Sequence, residues 1–227
     1  MTSYKGEFIE FMAQSGVLTF GDFTTKSGRK TPYFVNTGNY RTGAQMAKLG
    51  EYYAACYMEK ITQPVDSLYG PAYKGIPLVV AAATSLYSKH GIDIPFCFNR
   101  KEAKTHGEGG VFIGRTPQAG DKLVLIEDVI TAGTALRETM DLLKTVAENI
   151  KIEALIIQVD RMERATGELS AVRQAEVDFG IKVHPIVTVL DIIAHLHNRE
   201  VDGKVYIDDA MRGKMEAYLK EYGERKS

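Results

Sequence analysis

Two adjacent carboxylates end an apolar run in Val124-Leu-Ile-Glu-Asp-Val-Ile-Thr-Ala-Gly-Thr134. Glu127 and Asp128 follow a stretch suited to a buried strand, and a turn of small, hydroxyl-bearing residues then opens a helix. Thr131, Gly133 and Thr134, with the backbone N–H groups of a helix N-terminus, suit a phosphate. The two acids would repel that phosphate, so they are expected to bind something else on the same ligand. Sugar hydroxyls, or a metal bridging them, are the candidates. The plain alternative is a strand-to-helix turn with a Thr cap and solvated acids. No G-x-x-x-x-G-K-[ST] occurs and no G-x-G-x-x-G follows a strand, so triphosphate hydrolysis and nicotinamide redox chemistry lose ground.

Four further segments carry concentrated chemistry. Phe98-Asn-Arg-Lys-Glu-Ala-Lys-Thr-His-Gly-Glu-Gly-Gly110 places Arg100, Lys101, Lys104 and His106 within seven residues, just before three glycines. Such a loop can gather cations around a concentrated negative charge, and closing it would exclude water. A surface loop with solvated charges, partly cancelled by Glu102 and Glu108, explains it almost as well. In Phe23 to Phe34, Lys26, Arg29 and Lys30 flank a Ser-Gly turn beside Tyr33-Phe34. Basic groups next to aromatic faces suit a small planar anion, though a hairpin with charged turn residues is nearly as good a reading. Tyr69-Gly-Pro-Ala-Tyr-Lys-Gly-Ile-Pro77 is a short strand and a tight turn from which Lys74 projects. In Val159 to Gly167, Arg161 stands just after a strand, where it suits a ligand or a salt bridge with Asp160 or Glu163.

Taken together and in this order, the five segments resemble motifs of the phosphoribosyltransferase family, and among its members those that act on orotate. The acid pair and Thr-x-Gly-Thr are similar to the family's signature for 5-phosphoribosyl 1-diphosphate (PRPP). K-E-A-K-x-H-G-E-G-G and F-x-x-K-S-G-R are more specific. The resemblance runs from about Phe8 to the strand at His184 and implies transfer of phosphoribose from PRPP to orotate, with Mg2+ held mainly by PRPP and water. It implies that Glu127 and Asp128 serve the ribose hydroxyls, and that Val129, Ile130, Thr131, Ala132, Gly133, Thr134 and Ala135 wrap the 5′-phosphate. Tyr73, Lys74, Arg100, Lys101, Lys104 and His106 belong to the PRPP side, and Lys26 to both substrates. Phe34, Val35, Thr131 and Arg161 join Lys26 around orotate; Val35 departs from members that often carry a second aromatic there. Lys26, Lys101, Lys104, His106 and Asp128 are the residues expected to act in catalysis. The same resemblance implies a homodimer whose loop reaches into the neighbouring subunit's site. A phosphoribosyltransferase for another base and a non-catalytic PRPP sensor are the alternatives.

Positioning these segments requires alternating strands and helices. Strands are expected at Asp66–Tyr69, Ile94–Phe98, Lys122–Ile126, Ala154–Asp160 and Val183–Val189. Helices are expected at Tyr4–Gln14, Thr42–Ile61, Ile76–His90, Thr134–Glu148, Glu168–Phe179 and Asp209–Tyr222. This order implies βαβ units and a mostly parallel sheet flanked by helices, with ligands beyond the strands' carboxyl ends. The reading is an α/β fold occupying residues 1–227 as a single domain, with a mobile active-site loop and a small hood over the site.

Composition bounds the partners. The 227 residues carry 28 Lys and Arg against 29 Asp and Glu, a formal charge of −1, so no bulk field selects a nucleic acid. With 44% hydrophobic residues the chain can bury a core. Ile76–Leu86 is too short to span a bilayer, and the first residues lack an apolar signal stretch. Cys56 and Cys97, each among apolar neighbours, read as buried thiols of a cytoplasmic protein. His195-Leu-His197 lacks further ligands and is assigned no metal.

Overall fold

Buried aliphatic runs alternate with capped helices along the computed structural model, which describes residues 3–25, 28–104, 110–131, 133–165 and 167–224. The elements are α1 (Ser3–Gln14), β1 (Leu18–Thr24), β2 (Lys30–Val35), α2 (Gly43–Lys60), β3 (Ser67–Tyr69), α3 (Gly75–His90), β4 (Phe96–Lys104), β5 (Gly110–Gly114) and β6 (Lys122–Ile126). They continue as α4 (Thr134–Lys144), β7 (Lys151–Asp160), α5 (Ala171–Phe179), β8 (Lys182–Thr188), α6 (Val189–Leu196), β9 (Glu200–Val201), β10 (Lys204–Val205) and α7 (Asp209–Tyr222).

Six strands form one sheet in the order β5-β4-β3-β6-β7-β8. All neighbours are parallel except β4 and β5. Each face carries its own core. Val124, Ile126, Ala154 and Ile156 pack with α1, α2, α3 and α6 on one side. Leu123, Leu125, Leu155 and Ile157 pack with α4 and α5 on the other. This alternation is the period-two consequence of a sheet covered on both faces.

Helix limits follow their caps. Thr42 and Gln45 form a capping box at the start of α2, and Gly91 ends α3 in the left-handed conformation. Ser170 accepts from the Arg173 N–H, so α5 begins at Ala171 rather than Glu168. Thr188 and Asp191 box the start of α6, so the last sheet strand stops at Thr188 and the next residues are helical. α4 ends at Lys144, four residues short of the expected limit, with Thr145 bonding back to Leu142.

The largest departure is in the expected loop after Phe98. β4 runs on to Lys104 and β5 returns beside it, pairing Cys97, Phe98 and Asn99 with Gly114, Ile113 and Phe112 before the register slips. An edge hairpin needs no continuous apolar face, so its charged residues hid it. β1 and β2 form a separate antiparallel hairpin against which α7 packs, the small hood beside the main sheet. Both cysteines are buried and free, and burial pushes each thiol up to about 12. Among the described residues no helix is long and apolar enough to cross a membrane.

Candidate active site

Parallel strands β3, β6 and β7 bring the turns after Tyr69, Ile126 and Asp160 to one edge of the sheet. The acid pair sits at the centre of that edge. Because successive side chains alternate, the two carboxylates point to opposite faces. Asp128, 5% exposed, lies on the face shared by α2 and α3. Its Oδ2 accepts from Thr37 Oγ1 at 2.7 Å and from Lys74 Nζ at 2.6 Å, while its Oδ1 accepts the Val129 N–H at 2.8 Å. Glu127 instead borders a cavity of about 350 Å3 between the sheet and α4. Burial, and then the Asp128 charge, push its carboxyl from the ordinary 4.5 up to about 7. Lys74 and Lys101 oppose that rise.

The backbone around the pair is held from beneath. Fully buried Tyr53 donates its hydroxyl to the Glu127 carbonyl at 2.6 Å, and the Gln158 N–H donates to the Asp128 carbonyl at 2.9 Å. Neither Thr37 nor Tyr53 was singled out in the sequence. Thr37 is 91 positions from Asp128 and Tyr53 is 74 from Glu127, so no local spacing could reveal them.

Val129, Ile130, Thr131, Gly133, Thr134 and Ala135 all border the same cavity. Gly133 takes a left-handed conformation (φ 70°), and no side chain caps α4. The Thr cap of the plain reading is therefore absent among the described residues, and the first-turn N–H groups remain available to an acceptor. That is the geometry of an anion site.

Lys74 projects from a turn in which Gly70 and Gly75 meet backbone to backbone. A Cβ on Gly70 would stand 2.2 Å from the Gly75 carbonyl oxygen. Asn99 braces this turn, its Oδ1 accepting from the Ala72 N–H at 2.8 Å and the Tyr69 hydroxyl at 3.0 Å. Tyr73, next to Lys74 on this turn, is 70% exposed. Arg100 and Lys101 line a neighbouring cavity of about 350 Å3 with Asn99 and Glu138. Lys101 Nζ is 3.8 Å from Glu138, and Arg100 Nε and Nη1 are buried without hydrogen-bond partners among the described residues.

On the hood side, Phe34 is 36% exposed and tilts against Phe23 at 5.8 Å, with Val35 half-buried beside it. Of the two salt-bridge partners open to it, Arg161 takes Glu163 and not Asp160, which accepts from the Met162 N–H instead. Its guanidinium also lies over the Tyr33 ring, 5.2 Å from the centroid. The structure thus brings Lys74, Glu127, Asp128 and residues 129–131 and 133–135 together, with Arg100 and Lys101 one cavity away. Lys26, His106 and Ala132 lie outside the described residues, as does the side chain of Lys104. His195 Nε2 lies 2.8 Å from Glu10 Oε1 and His197 Nε2 2.8 Å from Asp209 Oδ1, both rings part-buried.

Comparison with known proteins agrees with this arrangement. Residues 36–177 match the family model of the phosphoribosyl transferase domain. The orotate phosphoribosyltransferase of Clostridium beijerinckii is 51% identical over 223 residues, covering 98% of this chain and 99% of that protein. Its counterpart in Lachnoclostridium phytofermentans is 52% identical over the same shares. The crystal structure of the Francisella tularensis orotate phosphoribosyltransferase superposes with a TM-score of 0.83 at 41% identity, covering 96% of this chain and 99% of that one. The sheet order, the open turn at α4 and these matches over nearly the whole length converge: the chain belongs to the orotate phosphoribosyltransferase family.

Proposed function

We propose that this chain transfers the 5-phosphoribosyl group from PRPP to orotate, forming orotidine 5′-monophosphate and diphosphate in pyrimidine nucleotide synthesis. The observation that carries the reading is the uncapped N-terminus of α4 opening on the cavity that Glu127 borders. The 5′-phosphate accepts from backbone N–H groups of residues 129–135, at the positive end of the helix dipole. Glu127 and Asp128 then take the ribose hydroxyls. Asp128 is held by Lys74 and Thr37 until the ligand supplies each partner with a replacement: a hydroxyl for Asp128, a diphosphate oxygen for Lys74.

As the C1–O bond breaks, positive charge grows on the ribose and negative charge on the leaving diphosphate. Lys74 and Lys101, joined by Arg100, Lys104 and His106, stabilise the leaving side. Lys26 spans both substrates, and Phe34, Val35, Thr131 and Arg161 hold orotate so that its ring nitrogen faces C1. Nucleophilic attack by the ring needs no covalent enzyme intermediate.

The donor set suits Mg2+. Among the described residues no three His, Cys, Asp or Glu side chains gather as a metal cage, yet Glu127 borders the cavity while Asp128 is held on the other face by Lys74 and Thr37. Mg2+ commonly takes one or two carboxylates, substrate phosphates and water, and when bound it neutralises charge on the diphosphate.

The functional unit is a cytoplasmic homodimer in which the 100–106 segment serves the partner's site. Exposed Tyr73, Val80 and Tyr87, on α3 and the turn before it, supply apolar surface for a second copy. Mixing Lys26→Ala with Lys104→Ala chains should recover activity in hybrid dimers; no recovery above the parents would argue against sharing. Turnover of orotate against uracil, hypoxanthine and adenine tests the substrate assignment directly.

A further inference from the structure

Arg161 is held from two sides, and the group that holds it is Glu163. Nε of Arg161 donates to Glu163 Oε1 at 2.9 Å, and Nη2 stands 2.7 Å from the same oxygen. Fully buried Tyr33 places its ring beneath the guanidinium and donates its hydroxyl to that oxygen at 2.9 Å. The other carboxylate oxygen lies 4.0 Å from Arg29 Nη1. Glu163 itself cannot drift: its carbonyl accepts the Ala171 N–H at 3.1 Å, and it bridges Gly223 at the end of α7. The side chains of Arg161 and Glu163 are 20% and 15% exposed, so the pair is held out of bulk water without being sealed.

We propose that Glu163 is a positioning residue for orotate recognition. It occupies the Nε side of the Arg161 fork and leaves the terminal nitrogens, of which Nη2 has no hydrogen-bond partner among the described residues, for the acceptor oxygens of the anionic ring. Arg161 offers planar, directional donors, so fixing the plane decides where those donors point. The inference rests on the orotate reading above.

Two roles for Glu163 predict opposite signs. If its charge merely tempers the two arginines, removing it strengthens attraction for the orotate anion and lowers the orotate KM. If it positions Arg161, removing it frees the guanidinium and raises that KM. The test uses Glu163→Gln, which keeps size and removes charge, with Arg161→Ala and the double variant. Thermal denaturation of each chain is followed alongside kinetics.

Expected for Glu163→Gln is an orotate KM about tenfold higher, with the PRPP KM and kcat changed less than about twofold. The double variant should bind orotate no worse than Arg161→Ala alone, because the two residues act as a unit. An orotate KM that falls or stays put, KM values for both substrates rising together, or effects of the two substitutions that multiply would each overturn the positioning role. Wild-type turnover is measured first. Its absence with orotate refutes the functional reading, whereas turnover with an unmoved Glu163→Gln KM refutes the role of Glu163 alone.

Discussion

Replacing Glu127 by glutamine should make the protein more stable at neutral and alkaline pH while impairing its chemistry. The Glu127 carboxyl is pushed from 4.5 up to about 7 by burial and by the neighbouring Asp128 charge. The folded state therefore holds a proton that the unfolded chain has released between about pH 4.5 and pH 7. By linkage, stability falls as pH rises through that window and stays reduced above it. The displacement corresponds to an upper bound of about 3 kcal/mol against the ionised form at pH 8. Glu127 borders an open cavity, so solvent screening brings the expected gain of Glu127→Gln to about 1–2 kcal/mol. At pH 5 both side chains are neutral in the fold and the difference should nearly vanish. Urea denaturation of the two chains at pH 5, 6.5 and 8 reads this directly. A variant equal to or less stable than wild type at pH 8, or a gap that does not grow with pH, would refute the reasoning. Destabilisation of this kind is what a site retains when its charged group is kept for a ligand.

Other perturbations follow from the same geometry. Tyr53→Phe removes the donor to the Glu127 carbonyl in a fully buried place, so stability should drop by about 1–2 kcal/mol in denaturant titration, with kcat reduced as the acid pair loosens. Gly75→Ala would set a Cβ 2.7 Å from the Gly70 carbonyl carbon and 2.9 Å from Pro71 Cδ. It should cost about 1–3 kcal/mol and, by moving Lys74, raise the PRPP KM. Asp121 accepts from Arg115 at 2.5 and 3.0 Å and from the Gln118 N–H at 2.7 Å, and the arginine bond in particular holds its carboxyl below the usual range. Arg115→Ala should therefore lower stability by about 2–3 kcal/mol at pH 7. Wild-type stabilisation from this pair is present above the ordinary carboxylate range near pH 4 and is lost as pH falls through the depressed value.

The phosphate turn was legible in the sequence because its chemistry is local: an apolar strand, two acids, small residues and a helix start lie within eleven positions. The parallel sheet was legible for a similar reason, since strands buried on both faces read as aliphatic runs. What escaped is what tertiary packing assembles. The charged stretch after Phe98 reads as a loop because edge pairing leaves no apolar signature, yet β4 and β5 pair there. Spacing suggests Glu163 as a partner for Arg161 but gives no sign of Tyr33, 130 positions from Glu163, which completes the clamp. In sequence the acid pair looks like one unit, whereas strand alternation sends Asp128 to Lys74 and Thr37 and leaves Glu127 at the cavity.

Diphosphate release from purified protein supplied with PRPP and Mg2+, with each candidate base added in turn, separates an orotate transferase from its alternatives. Release should depend on orotate and appear with orotidine 5′-monophosphate in equal amount. Release with another base in preference to orotate, or tight PRPP binding without any release, would contradict the orotate reading.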